Sequence, residues 1–106
     1  MKQIPAELLD EITRRLIKGL HPEQIILFGS HAYGQPSDAS DIDLLIIVSD
    51  SDEPRHRRAR RAYKCLRGLT APTEVIVLTR HEAAQAATVP ASFVNHALQR
   101  GRVLYG

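Results

Sequence analysis

An α/β fold, a small mixed β-sheet with flanking helices, is what the order of segments in this chain predicts. Strand-length apolar runs recur at Gln24–Phe28, Ile42–Val48 and Glu74–Leu78. Stretches with apolar residues at helical spacing lie before and between them, and Gly, Pro, Ser and Asp punctuate the joins. Alternation of this kind folds as a sheet with helices packed on it. At 106 residues the chain is expected to form one domain, residues 1–106, with no room for a second lobe.

Pro5 suits a first helical turn, and Leu8, Leu9, Ile12, Leu16 and Ile17 then make one apolar stripe that should end near Gly19. Gln24–Phe28 is the first strand. Ser30 to Tyr33 can form a helical turn closed by Gly34, and Gly34, Pro36, Ser37, Asp38 and Ser40 mark a turn-rich connection. In the second strand, Ile42–Val48, both faces are apolar beyond Asp43, as for a central strand covered on both sides. Pro54 opens a helix on which Ala59, Ala62, Leu66 and Leu69 fall at helical intervals. The third strand is Glu74–Leu78. Thr79 and Glu82 form a Thr-x-x-Glu capping box, starting a helix that Pro90 must interrupt. Ala91–Arg100 reads as another helix stopped by Gly101, and Arg102–Tyr105 as a closing strand.

The chemistry lies at Gly29-Ser30 and at Asp41-x-Asp43. Residues i and i+2 of a strand share a face, so Asp41 and Asp43 present carboxylates to one side while Ile42 and Leu44 turn to the other. Carboxylates that close resist ionising together unless a cation lies between them. Mg2+ suits the place, because it takes oxygen ligands and is usually held by one or two carboxylates plus substrate phosphates. A pair of such ions, about 3.5–4 Å apart, would clamp the attacking and leaving oxygens of an in-line displacement. Gly29 lets backbone come close to a phosphate, and Ser30 Oγ with the free N–H groups of the turn would grip it. Either half alone is common in solvated turns; strand, Gly-Ser, turn, then Asp-Ile-Asp entering a buried strand is a much rarer conjunction.

Phe28-Gly-Ser-His-Ala-Tyr-Gly34 followed by Ser40-Asp-Ile-Asp-Leu-Leu-Ile46 resembles the signature of the DNA polymerase β-like nucleotidyltransferase superfamily. Within it, the short length is similar to that of the minimal nucleotidyltransferase (MNT) family. The resemblance implies a polymerase β palm-like fold and transfer of NMP, usually AMP from ATP, with Mg2+. It also implies pairing with a HEPN-domain toxin, for which the MNT chain is the antitoxin and which it can adenylylate on a tyrosine. The family has a third acidic residue on the next core strand; Glu74 takes that place here, to complete the metal site or to act as general base. Glu replaces the commoner Asp. Relatives often carry Arg where this chain has His31 and Tyr33, and His31 could supply a cation only when protonated. His21, His56, His81 and His96 show no ligand spacing and are expected at the surface. Larger relatives bind the acceptor with an added domain, so a partner is expected to complete the cleft.

Composition, with 43% hydrophobic and 25% charged residues, is that of a cytosolic protein. No apolar stretch nears the ~20 residues of a membrane span, and the start lacks a signal-peptide run. Cys65 stands alone and is expected to be a buried thiol. Net charge is +2 but unevenly spread: Asp38 to Glu53 holds acids and no base, Arg55 to Arg67 bases and no acid. Arg57, Arg60, Arg61 and Lys64 share a helix face, which could be a solvated surface, a dock for an acidic partner or a nucleic-acid contact. Without interleaved aromatics, nucleic acid is the weakest of these. The functional expectation is an AMP transfer to a tyrosine of a HEPN-type toxin; the alternatives are an antitoxin that acts by binding alone and a transferase for a small-molecule acceptor.

Overall fold

The computed structural model describes residues 3–34, 36 and 40–106. Its elements are α1 (Ala6–Leu20), β1 (Gln24–Phe28), α2 (Ser30–Tyr33), β2 (Ile42–Val48), α3 (Arg55–Cys65), β3 (Thr73–Thr79), α4 (Arg80–Ala87), α5 (Phe93–Arg100) and β4 (Arg102–Tyr105). Ser37 and Asp38 of the expected turn lie outside the described residues.

The four strands form one mixed sheet in the order β3-β2-β1-β4. β1 runs antiparallel to β2 and to β4, whereas β2 and β3 are parallel. The parallel pair needs a crossover, and α3 provides it. Alternation along each strand then divides the core in two. Ile25, Leu27, Ile42, Leu44, Ile46, Val75 and Val77 face Ile12 and Leu16 of α1 and Ala62 of α3. Ile26, Leu45, Ile47 and Leu78 face Ala83 of α4 and Val94 and Ala97 of α5. β2 is therefore the inner strand covered on both sides that its apolar run predicts.

Two helix ends are instructive. α1 ends near Gly19 as expected, at Leu20, where His21 turns left-handed at φ 49°, its N–H donating to Ile17 O. Gly19 is a packing position as well, since a Cβ there would lie 2.2 Å from Cys65 Sγ. Cys65 is thus half-buried between α1 and α3, less enclosed than expected. At α4 the capping box is formed in full: Glu82 N–H donates to Thr79 Oγ1 at 3.1 Å and Thr79 N–H to Glu82 Oε1 at 2.9 Å. Helix α5 is shorter than Ala91–Arg100, because Ser92 takes the N-cap and accepts from Asn95 N–H.

β3 is an edge strand whose outer side is capped by side chains. Val75 N–H donates to Tyr63 Oη at 2.9 Å, and Arg58 Nη1 donates to Val77 O at 3.1 Å. Blunting an edge in this way removes a template for strand addition. Arg58 is buried, and it also donates from Nη1 and Nη2 to the two Glu82 oxygens (2.6 and 3.2 Å) and from Nε to Glu53 O (2.9 Å).

Candidate active site

Three strand ends meet at one edge of the sheet, and the register decides what they bring. β1 ends there with Phe28, which sits opposite Asp43 at the start of β2; because β2 and β3 are parallel, Asp43 sits in turn beside Glu74. Ile42 and Leu44 point into the α1/α3 core, so Asp43 takes the other face, that of Leu45 and Ile47. Asp41, just before β2, and Glu74 are exposed, while Asp43 is half-buried.

Gly29 follows Phe28 directly and adopts φ 76°, ψ −160°, a conformation open in practice only to glycine. A Cβ there would lie 2.1 Å from Asp43 Oδ2, so the aspartate carboxylate rests against the glycine backbone. The Gly-Ser turn and Asp43 thereby meet at one place. Ser30 opens α2, in which Ala32 and Tyr33 N–H donate to Gly29 O, and Gly34 N–H to Ser30 O. In such a turn the N–H groups of Ser30 and His31 have no acceptor inside the helix. The His31 ring lies 3.3 Å from Ser40 O through Nε2. Gly29→Ala is expected to cost about 1–3 kcal/mol through backbone strain alone and to push the Asp43 carboxylate away; a chemical melt and an ATP titration on the variant would check both.

The acids repel one another. Burial, then the charges of Glu74 and Asp41, hold the Asp43 carboxyl above its ordinary value, with His31 opposing them. Among the described residues no three His, Cys, Asp or Glu side chains form a ready-made metal cage. The donor set nonetheless suits Mg2+: it consists of carboxylate oxygens under mutual repulsion that a cation would relieve, and this ion completes its shell with water and phosphate. Asp41, Asp43 and Glu74 are the residues that could hold it.

Elsewhere the structure sorts the charged residues. Asp50, Asp52 and Glu53 lie past the opposite end of β2, and Glu53 pairs with Arg61. In α3 Arg58 is internal, Arg55 lies 3.5 Å from Glu82 and the exposed Arg61 is paired, which leaves Arg57, Arg60 and Lys64 as the members of the basic face with no ion pair to a described carboxylate. His21, His56, His81 and His96 are all exposed, as expected. His96, however, stands edge-on to Tyr33 of α2, with centroids 4.7 Å apart, and Arg100 Cζ lies 5.4 Å from the same ring. Phe93 meets Phe28 at 6.0 Å. Nothing in the order of segments connects α5 with the turn; the spacing 93, 96, 100 along one helix face is the signal the sequence carries. No described helix is long and apolar enough to cross a membrane.

Comparison with known proteins places these features. The family model described as Polymerase beta, Nucleotidyltransferase matches residues 10–106. A solved candidate nucleotidyltransferase from Sulfolobus solfataricus is similar at 26% identity and TM-score 0.59, over 74% of this chain and 70% of that one. A mutant of the toxin-antitoxin MntA-HpeT shares the fold at 18% identity and TM-score 0.53, over 92% of this chain and 73% of that one. No curated protein matches.

Proposed function

Since the chain belongs to the polymerase beta nucleotidyltransferase family, we propose that it is a Mg2+-dependent enzyme that moves AMP from ATP to a tyrosine hydroxyl of a HEPN-type toxin, and so acts as its antitoxin. The observation that carries the transferase reading is the contact of Gly29 with the Asp43 carboxylate, one register step from Glu74. It packs the most buried of the acids against bare backbone at the start of the Gly-Ser turn. The toxin partner draws support from the fold shared with MntA-HpeT. A single domain over residues 1–106 and a cytoplasmic location belong to the same proposal.

In this reading Asp41 and Asp43 hold Mg2+, with Glu74 as a third ligand. Bound there, the metal would neutralise phosphate charge and polarise the phosphorus under attack. Gly29 admits the triphosphate to the backbone, Ser30 Oγ donates a hydrogen bond to it, and the first N–H groups of α2 add two more. Glu74, exposed at the rim, is placed either to complete the metal site or to take the proton from the acceptor hydroxyl. Asp43, the more buried acid, would be the least solvated of the residues that hold the ion.

Glu74→Gln separates the acid's contributions. It is expected to slow transfer about a hundredfold, the lower end of what a general acid or base supplies. Because the Glu74 charge raises the Asp43 carboxyl, the variant should also keep Asp43 ionised to lower pH, and the acid limb of Mg2+ binding moves down.

The test is incubation with Mg2+, α-labelled ATP and the product of the adjacent gene. Label on a tyrosine of that partner, lost in Asp41→Asn, is the expected result. Neutralisation of the partner by Asp41→Asn without any label would establish an antitoxin that acts by binding alone. Transfer to a small molecule with none to the protein would reassign the acceptor.

A further inference from the structure

We infer that α5 forms the wall of the nucleotide site and that Arg100 binds the polyphosphate of the incoming nucleotide, held in place by Tyr33. The inference rests on the reading of Gly29 and Ser30 as the phosphate turn. That turn has no permanent cation of its own: α2 is Ser-His-Ala-Tyr, and His31 is its basic member. A triphosphate carries more negative charge than two carboxylate-bound ions and a few N–H groups readily offset, so a guanidinium nearby is chemically apt.

Placement singles out Arg100. Val94 and Ala97 bury the inner side of α5 on Ile26, Leu45 and Ile47, the sheet face on which Asp43 also lies. The C-terminal end of α5 is pressed onto β1: a Cβ on Gly101 would lie 2.6 Å from Ile26 Cγ2 and 2.9 Å from Leu27 O. Arg100 therefore starts from a backbone fixed over β1 two to three residues before Gly29. Its guanidinium lies over the Tyr33 ring at 5.4 Å, and His96 closes the ring's edge. Tyr33 is three residues after Ser30, about 4.5 Å along the axis of the same turn. A cation held on an aromatic face loses less freedom when it meets a ligand. Arg100 is exposed and makes no ion pair with a described carboxylate, so its charge is free for an anion.

Arg102 is the rival cation. It lies opposite Leu27, whose side chain belongs to the α1/α3 face, away from Asp43. Arg100 shares the acids' side of the sheet; Arg102 does not.

Calorimetric titration of the whole protein with Mg2+ and either ATP, inorganic tripolyphosphate or AMP tests this without any acceptor. Arg100→Ala should weaken ATP and tripolyphosphate about tenfold, as expected for loss of one charge-assisted contact, and leave AMP unchanged. Arg100→Lys should restore part of the affinity. Tyr33→Leu should reproduce the selective loss, and Tyr33→Phe should not. Arg102→Ala should bind all three ligands as the parent does. ATP binding unchanged in Arg100→Ala, or ATP and AMP weakened alike, overturns the inference. A parent protein that binds no Mg2+-ATP instead overturns the phosphate-turn reading on which it rests.

Discussion

Asp43→Asn is expected to abolish nucleotidyl transfer while making the metal-free protein more stable at neutral pH. The first effect follows from the loss of the innermost metal ligand, an electrostatic contribution worth several kcal/mol, so a fall of at least about a thousandfold is anticipated. The second follows from the cost of ionising Asp43 where it stands. Burial and the charges of Glu74 and Asp41 raise its carboxyl above the ordinary value in the folded chain. The native state therefore holds that proton more tightly than the unfolded state does. Its contribution to stability is fully present below the unfolded pKa and is lost as pH rises through the folded one. Asparagine keeps the shape and carries no charge, which removes the penalty. Melts of both proteins in EDTA should show the variant above the parent at neutral pH and the two converging in acid. Mg2+ should raise the parent's melting temperature and leave that of the variant unmoved. A destabilised variant would mean that the Asp43 carboxylate is held by partners other than a cation.

The largest effect on folding is expected at Arg58. Arg58→Ala deletes the donors to both Glu82 oxygens, to Val77 O and to Glu53 O, and leaves the Glu82 carboxylate at the head of α4 to Thr79 N–H and the more distant, exposed Arg55. Glu82 is itself only half-buried, so the loss is that of the charge-assisted hydrogen bonds, about 1.5–3 kcal/mol, and in a chain of this size about 2 kcal/mol lowers Tm by roughly 10 °C. The pair also predicts acid sensitivity. Hydrogen bonding from Arg58 lowers the Glu82 pKa from 4.5 to about 2. That stability is present above the ordinary value and is lost as pH falls through the folded one, so the parent should lose stability between those limits. Arg58→Ala should show a flatter acid limb, and a double cycle with Glu82→Gln measures the coupling. A Tm within 2–3 °C of the parent's, a shift worth under about 1 kcal/mol, would contradict the role given to Arg58.

Much of the site was legible from local pattern. The period of a strand leads one to expect Asp41 and Asp43 on one side, although β2 begins at Ile42 and leaves Asp41 just outside it, and Gly29 is a place where a Cβ would intrude. What pattern could not supply was which atoms intrude on which: that Asp43 Oδ2 fills the space a Cβ at Gly29 would need depends on the antiparallel register of β1 and β2. Arg58 was hidden for a different reason. It lies within a run of bases of which Arg57, Arg60, Arg61 and Lys64 share a face, and it is off that face, four residues before buried Ala62 and eight before buried Leu66, on the apolar stripe itself. A charge on the buried stripe was the clue, and only the tertiary partner Glu82 explains it. Gly19 lies where α1 is expected to end, and what the sequence does not show is that it admits the close approach of Cys65. The meeting of Tyr33 with His96 and Arg100 spans more than sixty residues of chain, and the spacing 93, 96, 100 marks a shared face of α5 without showing what that face meets.

The central claim is that the Gly29–Ser30 turn and the Asp41, Asp43 and Glu74 carboxylates form one site for a metal-bound nucleotide. Calorimetric titration of ATP into the parent protein and into Asp43→Asn, each with Mg2+ and with EDTA, tests it most directly. The account predicts binding only by the parent and only with Mg2+. Equal affinity in all four titrations, or none in any, would contradict it.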